Sequence, residues 1–489
     1  MTLSTNAFAA PNPASDFEWS VENDVVTIDK FLPENATFAV VPAEIDGRPV
    51  AKIGVRAFKN RASLTQVAVP EGVKSLGDSA FSGCAALTQV VLPQGLEQIG
   101  NRAFAGCSAL TEIVLPEGVR EIGEGAFAGC SSLSQIVLPS SLAIIAEAAF
   151  SRCVSLSQLI LPERVESVGE TAFFECKTLT AICVASENPF LQDFDGVLLS
   201  KDGKTLLRCP EGKKGEFVVP ESVKTIAFEA FARCSLSEVV LSQGLERLDD
   251  GAFFKCVFLS QITLPAKLKT LGESAFERCS SLTQVDVNSK LKAIPERAFY
   301  GCSSLTRIEL PASVGKIGKF AFGCCSALTQ VELPSNVKTL GERAFSSCVS
   351  LSQIKLPVKL EKIASQTFAN CSSLTEVVFS TNVKEIQESA FVRCRSLTRL
   401  EFPPALKKIG WGAFERCDAL AQVVFPESLE EIGERAFSSC SALKEVALPE
   451  ALQKLGRYPF ADATVCRASA SVAEKFAAAQ KCREQNYAK

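Results

Sequence analysis

The chain has 489 residues, 47% of them apolar and 22% charged, a globular composition that excludes disorder and a collagenous fibre. Lys and Arg number 51 against 55 Asp and Glu, and a net charge of −4 argues against nucleic acid or an anionic membrane as an obligatory partner. There is no histidine, which removes imidazole acid–base chemistry, histidine triads and histidine metal ligands together.

Residues 1–16 read as a flexible tail. Met1 to Asp16 shows neither the basic start nor the apolar run of a secretory leader. No stretch approaches the ~18 consecutive apolar residues of a membrane span. The expectation is therefore a cytoplasmic protein whose 20 cysteines stay reduced. Residues 17–50 are expected to form an N-terminal cap.

Beyond the cap a phenylalanine preceded by a small residue keeps returning. Phe58, Phe81, Phe104, Phe127, Phe150 and Phe173 are each 23 apart, and the series resumes at Phe231 and runs to Phe460, making 17 positions. The step from Phe173 to Phe231 is 58, so an insertion interrupts the array. A fixed period of this size marks a solenoid, in which one unit cannot bury its own apolar face and stacked neighbours share a core. Residues 51–184 then form a first block of coils, 185–219 a β-hairpin insertion and 220–460 a second block.

One copy shows the local logic. Leu87 to Pro93 alternates as a short strand, with Val90 and Leu92 facing in and Gln89 and Val91 facing out. Pro93 cannot donate to a ladder and ends the strand. Leu96 and Ile99 add a second apolar pair, and Gly100 permits a turn. Asn101 to Cys107 reads as one short helical turn whose Phe104 plugs the interior. Strands of successive copies stack in a parallel sheet at ~4.8 Å, so 17 coils make a curved rod of roughly 80 Å. Residues 461–489 read as a C-terminal helical cap, with Val472, Phe476 and Ala479 at helical spacing.

The repeat Leu-Thr-x-Val-x-Leu-Pro-x-x-Val-x-x-Ile-Gly-x-x-Ala-Phe-x-x-Cys resembles the BspA-like class of leucine-rich repeats, most clearly over 110–132, 305–327 and 420–442. Asp24 to Ile28 with Ile45 to Val50 is similar to that family's opening module. Asp195 to Leu199 with Lys201 to Gly203 and Leu206-Leu207 is similar to its recurrent hairpin insertion. The resemblance covers roughly 17–460 and implies a right-handed α/β leucine-rich-repeat solenoid with a parallel β-sheet on its concave face and short helical turns opposite. It also implies a binding role, often adhesion at cell surfaces, which makes the cell surface the second expectation for location.

Fifteen cysteines, from Cys84 and Cys107 to Cys440, lie three residues after a repeat Phe. They read as small buried apolar residues, because Cβ atoms ~4.8 Å apart on parallel strands exceed the ~3.8 Å that a disulfide prefers. A catalytic Cys lacks a histidine base. No catalytic residue, resident metal or cofactor is assigned.

The outward strand positions are the candidate binding residues. One row includes Gln135 and Gln158; its neighbour holds Val91, Val114, Val137 and Ile160, then Val240 after the insertion, and turns acidic at Asp286, Glu309 and Glu332. Exposed stacked valines form an apolar patch of the kind that marks partner sites. The three carboxylates also allow a calcium-regulated reading, since oxygen ligands suit that ion. A broken basic row, with Lys74, Lys269, Lys384 and Lys407 interrupted by Glu97, Glu246, Glu361 and Glu430, reads as a solubility feature. The leading expectation is a non-enzymatic protein-interaction scaffold that binds a protein or peptide, with no nucleic acid and no membrane span, alone or as a subunit of a larger assembly. A cell-surface adhesin is the alternative. An enzyme or ligand-regulated module would draw on Asp193, Asp195 or Cys482.

Overall fold

A computed structural model describes residues 10–287, 290–460 and 465–467. By its contacts the chain divides into two compact units, Met1–Lys214 with Ile226–Ser235, and Gly215–Thr225 with Leu236–Lys489. Both are parallel β-solenoids built on the 23-residue period.

In the first unit, the strands Gln66–Ala68, Gln89–Val91, Glu112–Val114, Gln135–Val137, Gln158–Leu161 and Ala181–Val184 follow one another as an outward ladder that is hydrogen-bonded in three short parallel sheets. Equivalent residues of successive copies face each other, as Gln66 with Gln89, Glu112 with Gln135 and Gln158 with Ala181. Val67, Val90, Ile113 and Leu159 point in and are buried, while the residues on either side point out. Of the second apolar pair, Leu96 and Ile99, the latter lies in a strand of its own, Gln98–Ile99. With Ser75–Leu76, Glu121–Ile122, Ile144–Ile145 and Ser167–Val168 it forms a second parallel ladder. Gly100 serves close approach here: a Cβ on it would lie 2.7 Å from backbone atoms of Gly77 and Asp78 in the preceding coil.

The expected helical turn is not a helix, and the fold is accordingly all-β rather than α/β. Among the described residues the one helical element is the 3₁₀ turn Ala14–Asp16. Residues 101–107 form successive tight turns whose amides alternate in direction. Ala103, Ala105 and Cys107 donate back within the turn, to Gly100, Arg102 and Phe104 at 3.0–3.2 Å. Arg102, Phe104 and Gly106 each donate 2.7 Å to a carbonyl of the next coil, at Glu124, Ala126 and Ala128. A continuing α-helix would turn its amides along its own axis toward the carbonyls four residues back, away from the neighbouring coil. The geometry requires φ of 56° at Arg102 and 74° at Gly106, and the same left-handed positions recur through the array.

Inside these turns the Phe rings stack. Neighbouring centroids from Phe81 to Phe173 are 5.3–5.9 Å apart and the rings lie within 6° of parallel. The N-terminal cap continues the column: Phe31 stacks on Phe58 at 5.1 Å and Phe17 follows at 5.4 Å. The cap strands Phe17–Glu22 and Val25–Phe31 are antiparallel, and the second runs parallel to Arg48–Ile53, which starts the second ladder. Within the stretch read as a tail, Asn12 is bound to Val40 through both main chain and side chain, at 2.9 and 2.8 Å.

The second unit repeats the scheme from Phe253 to Phe460, with every ring within 5.5 Å of the next. Its last described strand, Val465–Arg467, pairs in parallel with Glu445–Ala447. The segment read as a C-terminal helical cap thus holds a strand at its described residues 465–467; the helix expected over Ser469 to Lys489 lies outside the described residues.

Because each ring is sandwiched by two others, Phe276→Ala is expected to cost ~3–5 kcal/mol. A denaturation curve measures it, and an unchanged midpoint would contradict the core assignment.

Candidate interaction surface

The outward row of the first unit is built by the pleat. Val114 faces Val137 and Ile160 faces Cys183 across the ladder. Val114, Val137 and Ile160 are 57%, 61% and 67% exposed, large values for aliphatic side chains in the middle of a sheet. Val91, paired with Ala68, is half-buried. Gln135 and Gln158 lie exposed beside them. Val240, Asp286, Glu309 and Glu332 are exposed too but belong to the second unit, so the ten expected residues form two sets. There Glu309 faces Glu332, and Asp286 accepts a 2.8 Å hydrogen bond from Gln284. Among the described residues no group of three or more carboxylate, thiol or imidazole side chains is close enough to hold a metal ion, so the calcium reading gains no support.

Both edges of the first unit's outward ladder are partly occupied by other segments of the chain. At the start, Asn12 occupies the amide and carbonyl of Val40, in the strand Phe38–Val40 that pairs with Gln66–Ala68. At the end, the insertion does the work. Its strands Leu191–Phe194, Val197–Ser200 and Thr205–Arg208 form an antiparallel meander, one strand more than a hairpin. The tip turns at Asp195 and Gly196, with φ of 50° and 72°. The Gly196 carbonyl accepts from Ile182 at 2.9 Å and the Asp193 carboxylate accepts from Val184 at 2.7 Å. Asn188, fully buried, ties the insertion down by donating to Pro162 and Val165 at 3.0 and 2.8 Å and accepting from Phe190 and Leu191. The carboxylates offered for chemistry are therefore engaged in structure: Asp193 as above, and Asp195 with Lys213 at 2.9 Å. Cys482 lies outside the described residues.

The cysteine column carries a feature that composition hid. Along most of the repeat the buried thiol donates to the carbonyl of the Phe in the preceding coil, as Cys107 to Phe81, Cys130 to Phe104 and Cys153 to Phe127, all at 3.2 Å. A residue read as merely small and apolar is also a hydrogen-bond donor that links coils. Burial pushes the thiols of Cys84, Cys176 and Cys371 up from the ordinary 9.0 to about 12, so they keep their protons. Eighteen cysteines among the described residues are free. Elsewhere the basic row is paired across coils, Lys74 with Glu97 at 3.6 Å and Lys407 with Glu430 at 2.8 Å; such exposed, screened pairs are individually weak.

The family follows from the repeat and its ladders together. The sequence model described as BspA type leucine rich repeat region matches residues 51–180, 213–314, 292–421 and 362–471. The chain belongs to the BspA-type leucine-rich repeat family. A leucine-rich cell surface protein of Faecalibacterium prausnitzii is 25% identical over 77% of this chain and 96% of its own, with a TM-score of 0.50. The pneumococcal vaccine antigen PcpA is 20% identical over 81% of this chain and 92% of its own, with a TM-score of 0.51, a likeness of fold. A Bacteroides ovatus leucine-rich repeat protein is 24% identical over 93% and 98%, with a TM-score of 0.45. No curated protein matches the chain. Among the described residues no helix is long and apolar enough to cross a membrane.

The thiol column makes stability pH-dependent. Above pH 9.0 the unfolded chain releases thiol protons that the folded chain holds until about pH 12, so the thiols' contribution is complete below 9.0 and is lost across that interval. The denaturation midpoint is expected to fall over this range, less steeply in a C348A/C371A/C394A variant. Identical slopes would contradict the assignment.

Proposed function

We propose that this protein is a non-enzymatic interaction scaffold that grips a protein partner on the outward face of its strand ladder. The observation that carries the reading is the row Val114, Val137 and Ile160 at equivalent repeat positions, Val114 paired with Val137 and each residue more than half exposed. Aliphatic groups exposed in line on a rigid sheet gain free energy only when something covers them. Membership of a leucine-rich repeat family supports the same reading.

For location we take the cell surface over the cytoplasm. The cytoplasmic expectation has no support among the relatives, whereas the Faecalibacterium relative is described as a cell surface protein. Free thiols suit either setting, because all but Cys183 and Cys324 of those described are buried away from oxidants.

Two measurements check the proposal. Protease treatment of intact cells is expected to cleave the protein; full protection would return it to the cell interior. A V114D/V137D/I160D variant is expected to keep its far-ultraviolet circular dichroism and lose at least tenfold in affinity for an isolated partner. Unchanged affinity in the folded variant would remove the ladder face from the account.

A further inference from the structure

Over five coils of the first unit the charge on the ladder face is one-sided; the equivalent segment of the sixth, 177–186, opens with Lys177. The five coil segments that carry Ala68, Val91, Val114, Val137 and Ile160 are 62–71, 85–94, 108–117, 131–140 and 154–163. They contain no Lys or Arg and four glutamates: Glu71, Glu112, Glu117 and Glu163. All four are exposed. Glu112 lies two residues from Val114 in the same strand. Glu71, Glu117 and Glu163 each follow an outward apolar residue by three positions, so they stand within about 10 Å of the row. That is about one Debye length at physiological salt. Glu71 and Glu117 each use one carboxylate oxygen to accept a backbone amide of the next coil, Gln94 and Ser140 at 3.0 Å. Among the described residues none of the four forms an ion pair, and Arg164, beside Glu163, is the one cation in the next row of these coils. The equivalent segments of the second unit are mixed in sign, with Arg307, Lys355 and Arg399 among their acids.

We infer that this face takes a basic amphipathic α-helix of a partner protein, laid along the row with its apolar stripe on Val114, Val137 and Ile160 and its Lys or Arg residues over the flanking glutamates. The inference rests on the reading of the ladder face as a docking surface and adds the chemistry of the occupant. Strand addition is obstructed at both edges, where Asn12 holds Val40 and where Gly196 and Asp193 hold the amides of Ile182 and Val184. An occupant therefore lies across the strands. Five strands at ~4.8 Å give a row of about 19 Å, the length of about thirteen helical residues. The helical pitch of ~5.4 Å keeps near step with the strands over that distance. Exposed carboxylates on both flanks favour cations on both flanks of the partner's stripe.

The test uses the full chain and two synthetic fifteen-residue helical peptides with the same leucine stripe, one flanked by Lys and one by Glu, followed by fluorescence anisotropy. The Lys peptide is expected to bind at least tenfold more tightly than the Glu peptide, with affinity that falls as salt rises. E112Q/E117Q/E163Q is expected to lose at least fivefold for the Lys peptide and to flatten the salt dependence. D286N/E309Q/E332Q, which removes as many charges from the second unit, is expected to stay within twofold. Equal losses in the two triple variants would show attraction to a generally acidic protein and overturn the inference. Loss in V114D/V137D but not in E112Q/E117Q/E163Q would keep the face as a docking surface while overturning its basic partner. Circular dichroism of each variant separates binding loss from misfolding.

Discussion

Everything in this molecule depends on one coil having another to stack on. Most strands of a rung have two to four residues, too few for an independent sheet. Its aromatic ring has no cover of its own. Stacking resolves both deficits at once: the ring of each copy becomes the lid of its neighbour, and the outward amides of the strands and turns find carbonyls one coil away. The cap obeys the same constraint with different means, supplying Phe31 and Phe17 where no further coil exists.

The period, the ring positions and the strand alternation were legible because they are one-dimensional facts. Phe58 to Phe173 mark the column, and Val90 against Val91 marks the two faces of a strand. The turn was not legible in the same way. Asn101 to Cys107 has a helix-like composition, and local propensity cannot see that the amides of Arg102, Phe104 and Gly106 are taken by the next coil. The φ of 56° at an arginine is imposed by stacking and lies against intrinsic preference. The thiol column was half legible for a related reason. Spacing excluded disulfides, but the Sγ donation to a Phe carbonyl 26 residues earlier exists only when coils are superposed.

The candidate surface divides similarly. The exposed row Val114, Val137 and Ile160 followed from alternation, and the structure places these side chains on the open side of the sheet. Sequence spacing could not show that the ladder's edges are partly occupied by Asn12 and by the tip of the insertion, since those contacts join segments of unrelated sequence. The signal for the flanking glutamates was present, as the absence of any Lys or Arg from five aligned segments, but it carries weight only once the apolar row beside it is known to face water. Val240 and the acidic trio looked continuous with the valines along the repeat, yet they belong to the second compact unit.

Amide hydrogen exchange at the repeat phenylalanines tests the stacking most directly. The amides of Phe81, Phe104 and Phe127 donate to Ala103, Ala126 and Ala149 of the next coil at 2.7–2.8 Å, and the account predicts that they exchange as slowly as amides of the strand ladders. Exchange at the rate of exposed loops would mean that the turns are not joined from coil to coil, and the stacked architecture would not stand.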